Sequence, residues 1–491
     1  MLLVLLVVAA LAGGSGFASA QQHGHRTAHH HRHHHRNHPA TALAATSPGP
    51  AGWTTTASGS RRVQPLTAAE LTPSTAASAV HVPVDDSTRY QRTDGFGAAL
   101  TESSAHLLMG LSRSARTAAL RSLFDPVSGA GIDLVRLPLG ASDFALSRYT
   151  YDDLPAGRTD PTLSGFSLAH DDAEIVPVLA EALKINPRLR IIGTPWSAPA
   201  WMKTSGSLVG GTLVAADTDV YARYLVKAVG ALRSRGLPIR FLTLGNEPEW
   251  SPPDYPGMTL SAAQEASLAV ATSSALTKAG ITDVALIGYD HNWDDPAYPQ
   301  ALLGDPAAKA ALAGTAFHCY AGSPSAQSAV HDAAPDEGVW FTECSGGSWS
   351  SGFGADLGWN TGTLTIGATR SWARSVLLWN LALDPSGGPH TGGCSGCRGV
   401  LTIDPATGAV TRNVEYDVLA LAGRAVRPGA VRVATPESVY GVETVAYLNP
   451  DGSHSLTAYN SWSTDQRLVV DAGRRSVGAP LPAGSVVTLT W

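Results

Sequence analysis

The sequence predicts a (β/α)8 barrel joined to a β-sandwich that is built from both ends of the chain. Between residue 95 and about 425, eight short apolar runs alternate with helical patterns, and each run ends in polar or aromatic residues. That alternation belongs to a parallel sheet with helical crossovers. A doubly wound open sheet is the alternative, but no Gly-rich phosphate loop follows the first run. Beyond residue 425 the pattern changes to alternating runs broken by turns, over about 65 residues. This is small for a sandwich of its own, so strands from the N-terminal end must complete it.

Taken in order, residues 1–20 read as a secretory signal peptide. An apolar core leads to an A-x-A-like site at Ala18-Ser19-Ala20, although no positive n-region precedes it. The alternative is a membrane anchor, but the run is shorter than the ~20 residues a span needs. A secreted, extracellular protein cleaved near Ala20 is expected, with no stable membrane insertion after signal removal. Residues 21–50 hold more than half of the chain's 17 histidines, then an Ala/Thr/Pro/Ser linker. With so few aliphatics this segment cannot bury a core, and a disordered, solvated tail is expected.

Residues 51–94 should give the N-terminal sandwich strands, from "GWTTTASG" and "AVHVPVDD". The barrel is expected over 95–425. Its strand candidates are "GFGAALTE", "IDLVRLPLG", "LRIIGTPWS", "IRFLTLGNE", "DVALIGYDHNW", "GTAFHCYAG", "GVWFTECSG" and "VLLWNLALD". Helices are expected over 103–124, 171–186, 261–279 and 412–425. A further helix after Asp217 sets Val220, Tyr221, Tyr224, Leu225, Ala228, Val229 and Leu232 on one face. Thr218 or Asp217 can cap it, and Gly236 stops it. Residues 426–491 should form the C-terminal sandwich, with a hairpin at "NPDGS".

At 491 residues the chain is too long for one ordinary core, so a large domain plus a smaller one is expected. Charged residues make up 15% and the net charge is −6, with no long basic block outside the N-terminal tail. Nucleic acid is therefore not an expected partner. The four cysteines, Cys319, Cys344, Cys394 and Cys397, suit disulfides in an exported chain. A four-thiolate zinc site is the rival, favoured only by the spacing of Cys394 and Cys397. Adjacent parallel strands lie ~4.8 Å apart, close enough for a bridge from Cys319 to Cys344, with Cys394 to Cys397 closing a short loop.

In such a barrel, polar residues at the C-terminal strand ends mark the active site. These are Glu102, Arg136, Asp143, Trp196, Asn246, Glu247, His291, Trp293, His318, Tyr320, Glu343 and Trp379. Two carboxylates stand on well-separated strands, Glu247 and Glu343. Trp196, Trp201, Trp250, Trp293, Trp349, Trp359 and Trp379 follow or end barrel strands. Tryptophan rings stack on the apolar faces of sugars, so paired carboxylates in a tryptophan-lined cleft point to glycoside hydrolysis. About half of these tryptophans should be packing. No nucleophile elbow, H-E-x-x-H or Walker loop sits in a suitable context.

Six motifs in order, "GFGAALTESSAHLL", "LVRLPLGASDFALSRYTYDD", "TPWSAPAWMKTSGSLVGG", "LTLGNEPEW", "FTECSGG" and "LLWNLALD", resemble glycoside hydrolase family 30. The tail "VYGVETVAYLNPDGSHSLTAYN" resembles that family's β-sandwich, so the likeness covers residues 52 to 491. It implies a retaining β-glycosidase with Glu247 as general acid/base and Glu343 as nucleophile. It places Asp143, Trp196, Asn246 and Trp379 where the family holds the sugar in its first subsite. Arg136, His318 and Tyr320 match positions that line and support the pocket. Neither a cofactor nor a metal is expected.

Such a mechanism asks that Glu247 be protonated, with a pKa raised by burial and by its neighbour's charge. Glu343 must stay ionised, with Tyr320 or Arg136 as donors. The competing readings are structural: Glu247 or Glu343 as a cap or an ion-pair partner, Asp143 as a turn residue, His318 as a core histidine. Glu102 and Glu249 read as structural. Cys319 stands where glucosylceramidases carry an aromatic, and "GGPHTGGCSGCRGVLTID" replaces their loop after the eighth strand. These departures look more like the family's β-1,6-glucanase branch, and the loops 205–215, 322–330 and 385–400 are hydrophilic. A β-1,6-linked glucan is the expected substrate. The alternatives are glucosylceramide, an exo-β-glucosidase or xylosidase activity, or a carbohydrate-binding protein without catalysis.

Overall fold

The computed structural model describes residues 49–473 and 475–491. The expected signal peptide, and the His-rich tail with its linker as far as residue 48, lie outside the described residues. The barrel strands are Gly95–Ala99, Leu134–Pro138, Arg190–Thr194, Ile239–Thr243, Ala285–Asn292, Gly314–His318, Gly338–Glu343 and Ala373–Leu378. They close into a ring in chain order, each parallel to the next. The eighth pairs with the first at Ser375↔Gly95 and Val376↔Phe96. Inside the ring Leu134, Ile192, Phe241, Ile287, Ala316, Trp340 and Leu377 form a packed plug. The barrel is thus filled below its mouth, and chemistry is confined to the strand ends.

Each apolar run of the sequence holds a barrel strand, but the eighth strand starts at Ala373, three residues earlier than expected. The apolar stretch continues through Trp379 and Asn380 into a separate short strand, Ala382–Leu383, which pairs with Leu401–Ile403. Hydrophobicity alone cannot mark where one sheet ends and the next begins.

The single helix expected over 103–124 is two helices, Glu102–Gly110 and Arg113–Phe124. Thr101 caps the first by accepting from the Ser104 N–H, and Ser112 caps the second by accepting from Ala115 N–H. The helix Thr218–Ser234 buries all seven residues of the expected face. Asp217 stands at its N-cap without a side-chain bond to the helix, and Gly236 follows its end at φ 82°. The helices Ala297–Gly304, Pro306–Ala311, Ser325–Ala333 and Phe353–Trp359 were not anticipated. They are short and rich in small residues, so their periodicity is weak.

The sandwich does draw on both chain ends. Ala51–Thr55 pairs antiparallel with Val486–Thr490, in a sheet that runs on through His454–Asn460, Val442–Leu448, Val431–Ala434 and Asp85–Arg92. The facing sheet is Arg475–Leu481, Gln466–Ala472 and Val80–Pro83, the last two parallel. Val80 and Val82 pack with Leu456, Leu468 and Leu489 in one shared core. Asp85–Arg92 was missed as a strand because it is polar and exposed along almost its whole length, as suits a sheet edge.

Candidate active site

The fourth strand ends at Thr243, and the chain then turns sharply across the mouth of the barrel. Asn246 N–H donates to Pro195 O at 2.9 Å and Glu247 N–H to Asp290 O at 3.0 Å. Glu247 holds the left-handed region at φ 48°, a conformation that costs a non-glycine residue about 1–3 kcal/mol. The two backbone bonds hold it there, with its carboxylate facing the cleft.

Glu343 ends the seventh strand, opposite His318 of the sixth. Arg136, fully buried at the mouth, donates to Glu343 Oε2, to Asn246 Oδ1 at 2.7 Å and to Asp290 Oδ2 at 2.8 Å. Tyr320 O–H donates to Glu343 Oε1 at 2.8 Å. Both donors expected for Glu343 are therefore in place. Because Arg136 takes the Asn246 oxygen, the amide's N–H2 is left free for a ligand. The guanidinium also lies 4.9 Å from the Trp196 ring centroid and 5.7 Å from that of Trp379. Those two indoles stack at 5.2 Å.

His318 bridges two carboxylates. Its Nδ1 is 3.1 Å from Glu247 Oε1 and its Nε2 is 3.1 Å from Asp290 Oδ1. Burial opposes its charge, but Glu343, Asp290 and Glu247 outweigh burial and raise its pKa to about 9. His318 is thus a fully buried side chain that holds its proton against Glu247.

One oxygen of Glu247, one nitrogen of His318 and one oxygen of Glu343 lie within 4.8 Å of one another. Such a trio could hold a metal ion by composition. Its chemistry argues for protons instead: both His318 nitrogens face carboxylate oxygens as N–H donors, and Arg136 already occupies Glu343.

The expected rise in the Glu247 pKa is not found. Burial raises it, but the hydrogen bond and charge of His318 prevail and hold it below the usual carboxylate range. Glu343 is lifted, because burial and the charge of Glu247 outweigh His318, Arg136 and Tyr320. The two carboxyls titrate as a pair. Asp143, buried and facing both, is pushed well above the usual range by burial and then by their charges.

A pocket of about 500 Å³ collects these groups. Asp143, Trp196, Asn246, Glu247, Tyr320, Glu343 and Trp379 line it, while Arg136 and His318 support it from below. Cys319–Cys344 ties the sixth and seventh strands beside the carboxylates, with Cα atoms 5.4 Å apart. Cys394–Cys397 forms part of the pocket wall, at 5.7 Å. Of the seven tryptophans, Trp250 and Trp349 join Trp196 and Trp379 in the lining. Trp293 is packing: it stacks on Phe341 at 5.1 Å and donates to Gln327. Glu102 is structural, bonded to His170 at 2.6 Å and to the Leu146 N–H.

Sequence reasoning missed Asp290. The fifth strand carries two consecutive left-handed residues, Tyr289 at φ 69° and Asp290 at φ 56°. Ala316 pairs with Tyr289 and Phe317 with His291, so Asp290 is the extra residue of a β-bulge. The seventh strand skips Thr342 in the same way, and Thr342 donates to Asp290 Oδ1 at 2.6 Å. The signal available was an aspartate within an apolar run, beside the His291 that was singled out instead. Lys203 was also missed, although it lies within a quoted motif. It is buried and donates to Ser197 Oγ, Leu208 O and Gly257 O at 2.7–2.8 Å, clamping the loops beside the pocket.

A closed barrel whose mouth sets buried carboxylates among stacked tryptophans is a glycoside hydrolase in class. The chain belongs to glycoside hydrolase family 30: residues 93–393 match that family's TIM-barrel domain and residues 429–489 its β-sandwich domain. It is 34% identical to the endo-1,6-beta-D-glucanase neg1 of Aspergillus fumigatus, covering 82% of this chain and 86% of that one. With the lysosomal acid glucosylceramidase of Mus musculus it shares 28% identity over 82% of each chain. Among solved structures, the endo-beta1,6-glucanase BT3312 superposes with a TM-score of 0.84 at 30% identity, covering 90% of this chain and 99% of that one.

Proposed function

We propose that this protein is a secreted retaining β-glycosidase that hydrolyses β-1,6-linked glucan, with Glu343 as nucleophile and Glu247 as general acid/base. The observation that carries the reading is the pair of carboxylates with oxygens within 4.8 Å, set between Arg136 and His318 at the wall of stacked Trp196 and Trp379. Retaining enzymes need their two carboxyls ~5–5.5 Å apart, close enough for one to attack C1 directly; inverting enzymes leave room for a water.

In the reaction, Glu343 attacks the anomeric carbon while Glu247 gives a proton to the leaving oxygen, forming a glycosyl-enzyme. Water then enters, Glu247 takes its proton, and the sugar leaves Glu343 with the original anomeric configuration. Arg136 and Tyr320 balance the nucleophile's charge, and the free Asn246 amide is placed for the sugar 2-hydroxyl. His318 keeps a proton beside Glu247. With Arg136 and His318 cationic and Asp290 and Glu343 anionic, a proton on Glu247 makes the buried set neutral. The reaction needs that proton on Glu247 rather than on Glu343, whose pKa burial raises.

The glucan assignment is supported by the likeness to endo-1,6-glucanases and by a cleft lined by Trp, Tyr, Asp and Glu, with no Leu, Ile or Val among its lining residues. Secretion rests on the apolar leader ending near Ala20 and on two disulfides. Among the described residues no helix is long and apolar enough to cross a membrane. The division into leader (1–20), tail (21–50), N-terminal strands (51–94), barrel (95–425) and C-terminal strands (426–491) belongs to the same proposal. The test is hydrolysis of β-1,6-glucan, glucosylceramide in detergent micelles and an aryl β-glucoside side by side, with the anomer of the first product read by NMR. A higher kcat/KM on β-1,6-glucan and a β-product are expected. Preference for the lipid would overturn the substrate, and an α-product would overturn the mechanism.

A further inference from the structure

The carboxylate pocket is walled beside Asp143 and joins a second cleft past Tyr320 and Trp349. At the Asp143 end Gly393 lies so close that a Cβ there would fall 2.8 Å from Asp143 Oδ2. The Cys394–Cys397 bridge packs with Trp196 and Trp379 at the same end. Gly393 and the bridge wall the pocket behind the Trp196–Trp379 stack. At the other end Tyr320 and Trp349 are shared with a second cleft of about 530 Å³, which runs on to Trp359.

This second cleft is built rather than incidental. Trp349 is 60% exposed, yet its indole is seated on the Gly347 backbone: a Cβ at Gly347 would fall 2.1 Å from Trp349 Cζ3. Gly347 pairs with Cys397 and Gly346 with Arg398 in a short antiparallel ladder. Arg398 in turn donates to Glu415 at 2.7 Å and to Asp356 at 2.6 Å. Asp356 belongs to the helix Phe353–Trp359, one turn before Trp359, which is 46% exposed. One partly buried ion-pair network, centred on Arg398, therefore ties together the mounts of both indoles. Between them the cleft is lined by Ser345, Ser350 and Asn360, whose oxygens can accept from sugar hydroxyls, while the Ser345 O–H and the Asn360 amide already donate to Gly346 O and Asp356 O. Two exposed indoles on fixed mounts, interleaved with hydroxyl and amide groups, match the alternation of apolar faces and hydroxyl rims on a sugar chain.

We propose that the cleft from Trp349 to Trp359 is a leaving-side binding site for the glucosyl units released by cleavage. Trp349 receives the first unit past the scissile bond and Trp359 the next. The inference rests on the β-1,6-glucan reading above and adds the side of the bond on which the polymer is gripped. It makes the enzyme favour chains over short glucosides, since a dimer cannot reach Trp359.

The test compares kcat/KM on the β-1,6-linked glucose tetramer with that on the dimer, in the wild type, Trp359→Ala and Trp359→Phe. Each ratio is taken within one protein, so a loss of folded material cancels. The wild type should favour the tetramer by about tenfold or more. Trp359→Ala should lower that ratio about five- to tenfold, the worth of one aromatic contact, and Trp359→Phe should keep part of it. A flat wild-type ratio, or a ratio unmoved by Trp359→Ala, would overturn the site while leaving β-1,6-glucan hydrolysis standing. If the wild type cuts an aryl β-glucoside but neither oligosaccharide, the glucan reading itself falls, and this inference falls with it.

Discussion

Asp290 accepts from Arg136, His318 and Thr342 with no solvent exposure, and that arrangement explains why a buried aspartate stays ionised. Burial alone would raise its pKa, but the two cations hold it far below the usual range. Asp290→Ala leaves Arg136 and His318 facing Glu343 and Glu247 without their shared counter-charge. Breaking such a buried pair costs about 3–5 kcal/mol, so a large fall in Tm with loss of activity is expected in a thermal melt and a rate assay. His318 gives a pH signature. Its folded pKa of about 9 lies above the ordinary 6.5, so its stabilisation is complete below pH 6.5 and is lost as pH rises through 9. Two and a half units at about 1.4 kcal/mol each make this on the order of 3 kcal/mol. The stability difference between wild type and His318→Asn should therefore shrink between pH 6.5 and 9; a constant gap would show that His318 is neutral when folded.

The two glutamates separate by their kinetics. Glu343→Gln should abolish turnover, and a slow mechanism-based glucoside should label Glu343 in the wild type, as mass spectrometry of the peptides would show. Glu247→Ala should cost about 10²–10⁴ in rate on poor leaving groups and far less on activated aryl glucosides. Equal losses on both would make Glu247 structural.

At the scale of elements, two bulges shape the site. The extra residues Asp290 and Thr342 meet across the sixth strand, turning one carboxylate inward and setting Glu343 opposite His318. The Cys319–Cys344 bridge fastens the two strands just beyond that point. Replacing both cysteines with serine should lower stability by about 2–4 kcal/mol, seen as a shift in the urea midpoint. KM should change less on an aryl glucoside than on the polymer, because Tyr320, next to Cys319, leads into the second cleft.

At the scale of the whole molecule, the polar strand Asp85–Arg92 of the sandwich runs almost directly into the first barrel strand at Gly95. Arg370, just before the eighth barrel strand, donates to Thr444 O and Thr435 O of the sandwich. The two parts should therefore unfold together. Val82→Asp puts an unpaired carboxylate into the sandwich core, where Val82 is fully buried. Unfolding followed by circular dichroism and loss of activity should shift together to lower temperature. A barrel that keeps its activity after the sandwich melts would refute the coupling.

The sequence by itself determined the alternation of strands and helices, the return of residues 51–83 to the C-terminal strands, and the placing of Glu247 and Glu343 at strand ends. Those follow from the period of apolar residues and from the direction of parallel strands, which carry every C-terminal end to one mouth. Its six motifs also located the lining residues Asp143, Trp196, Asn246 and Trp379. Only the tertiary structure decided that Asp290 is the hub, that Trp293 is packing while Trp349 faces the cleft, and that His318 is shared between two carboxylates. A bulge changes which way one residue points without changing any local preference. The ionisation of a buried group depends on charges brought near it from other strands, which no window of sequence contains.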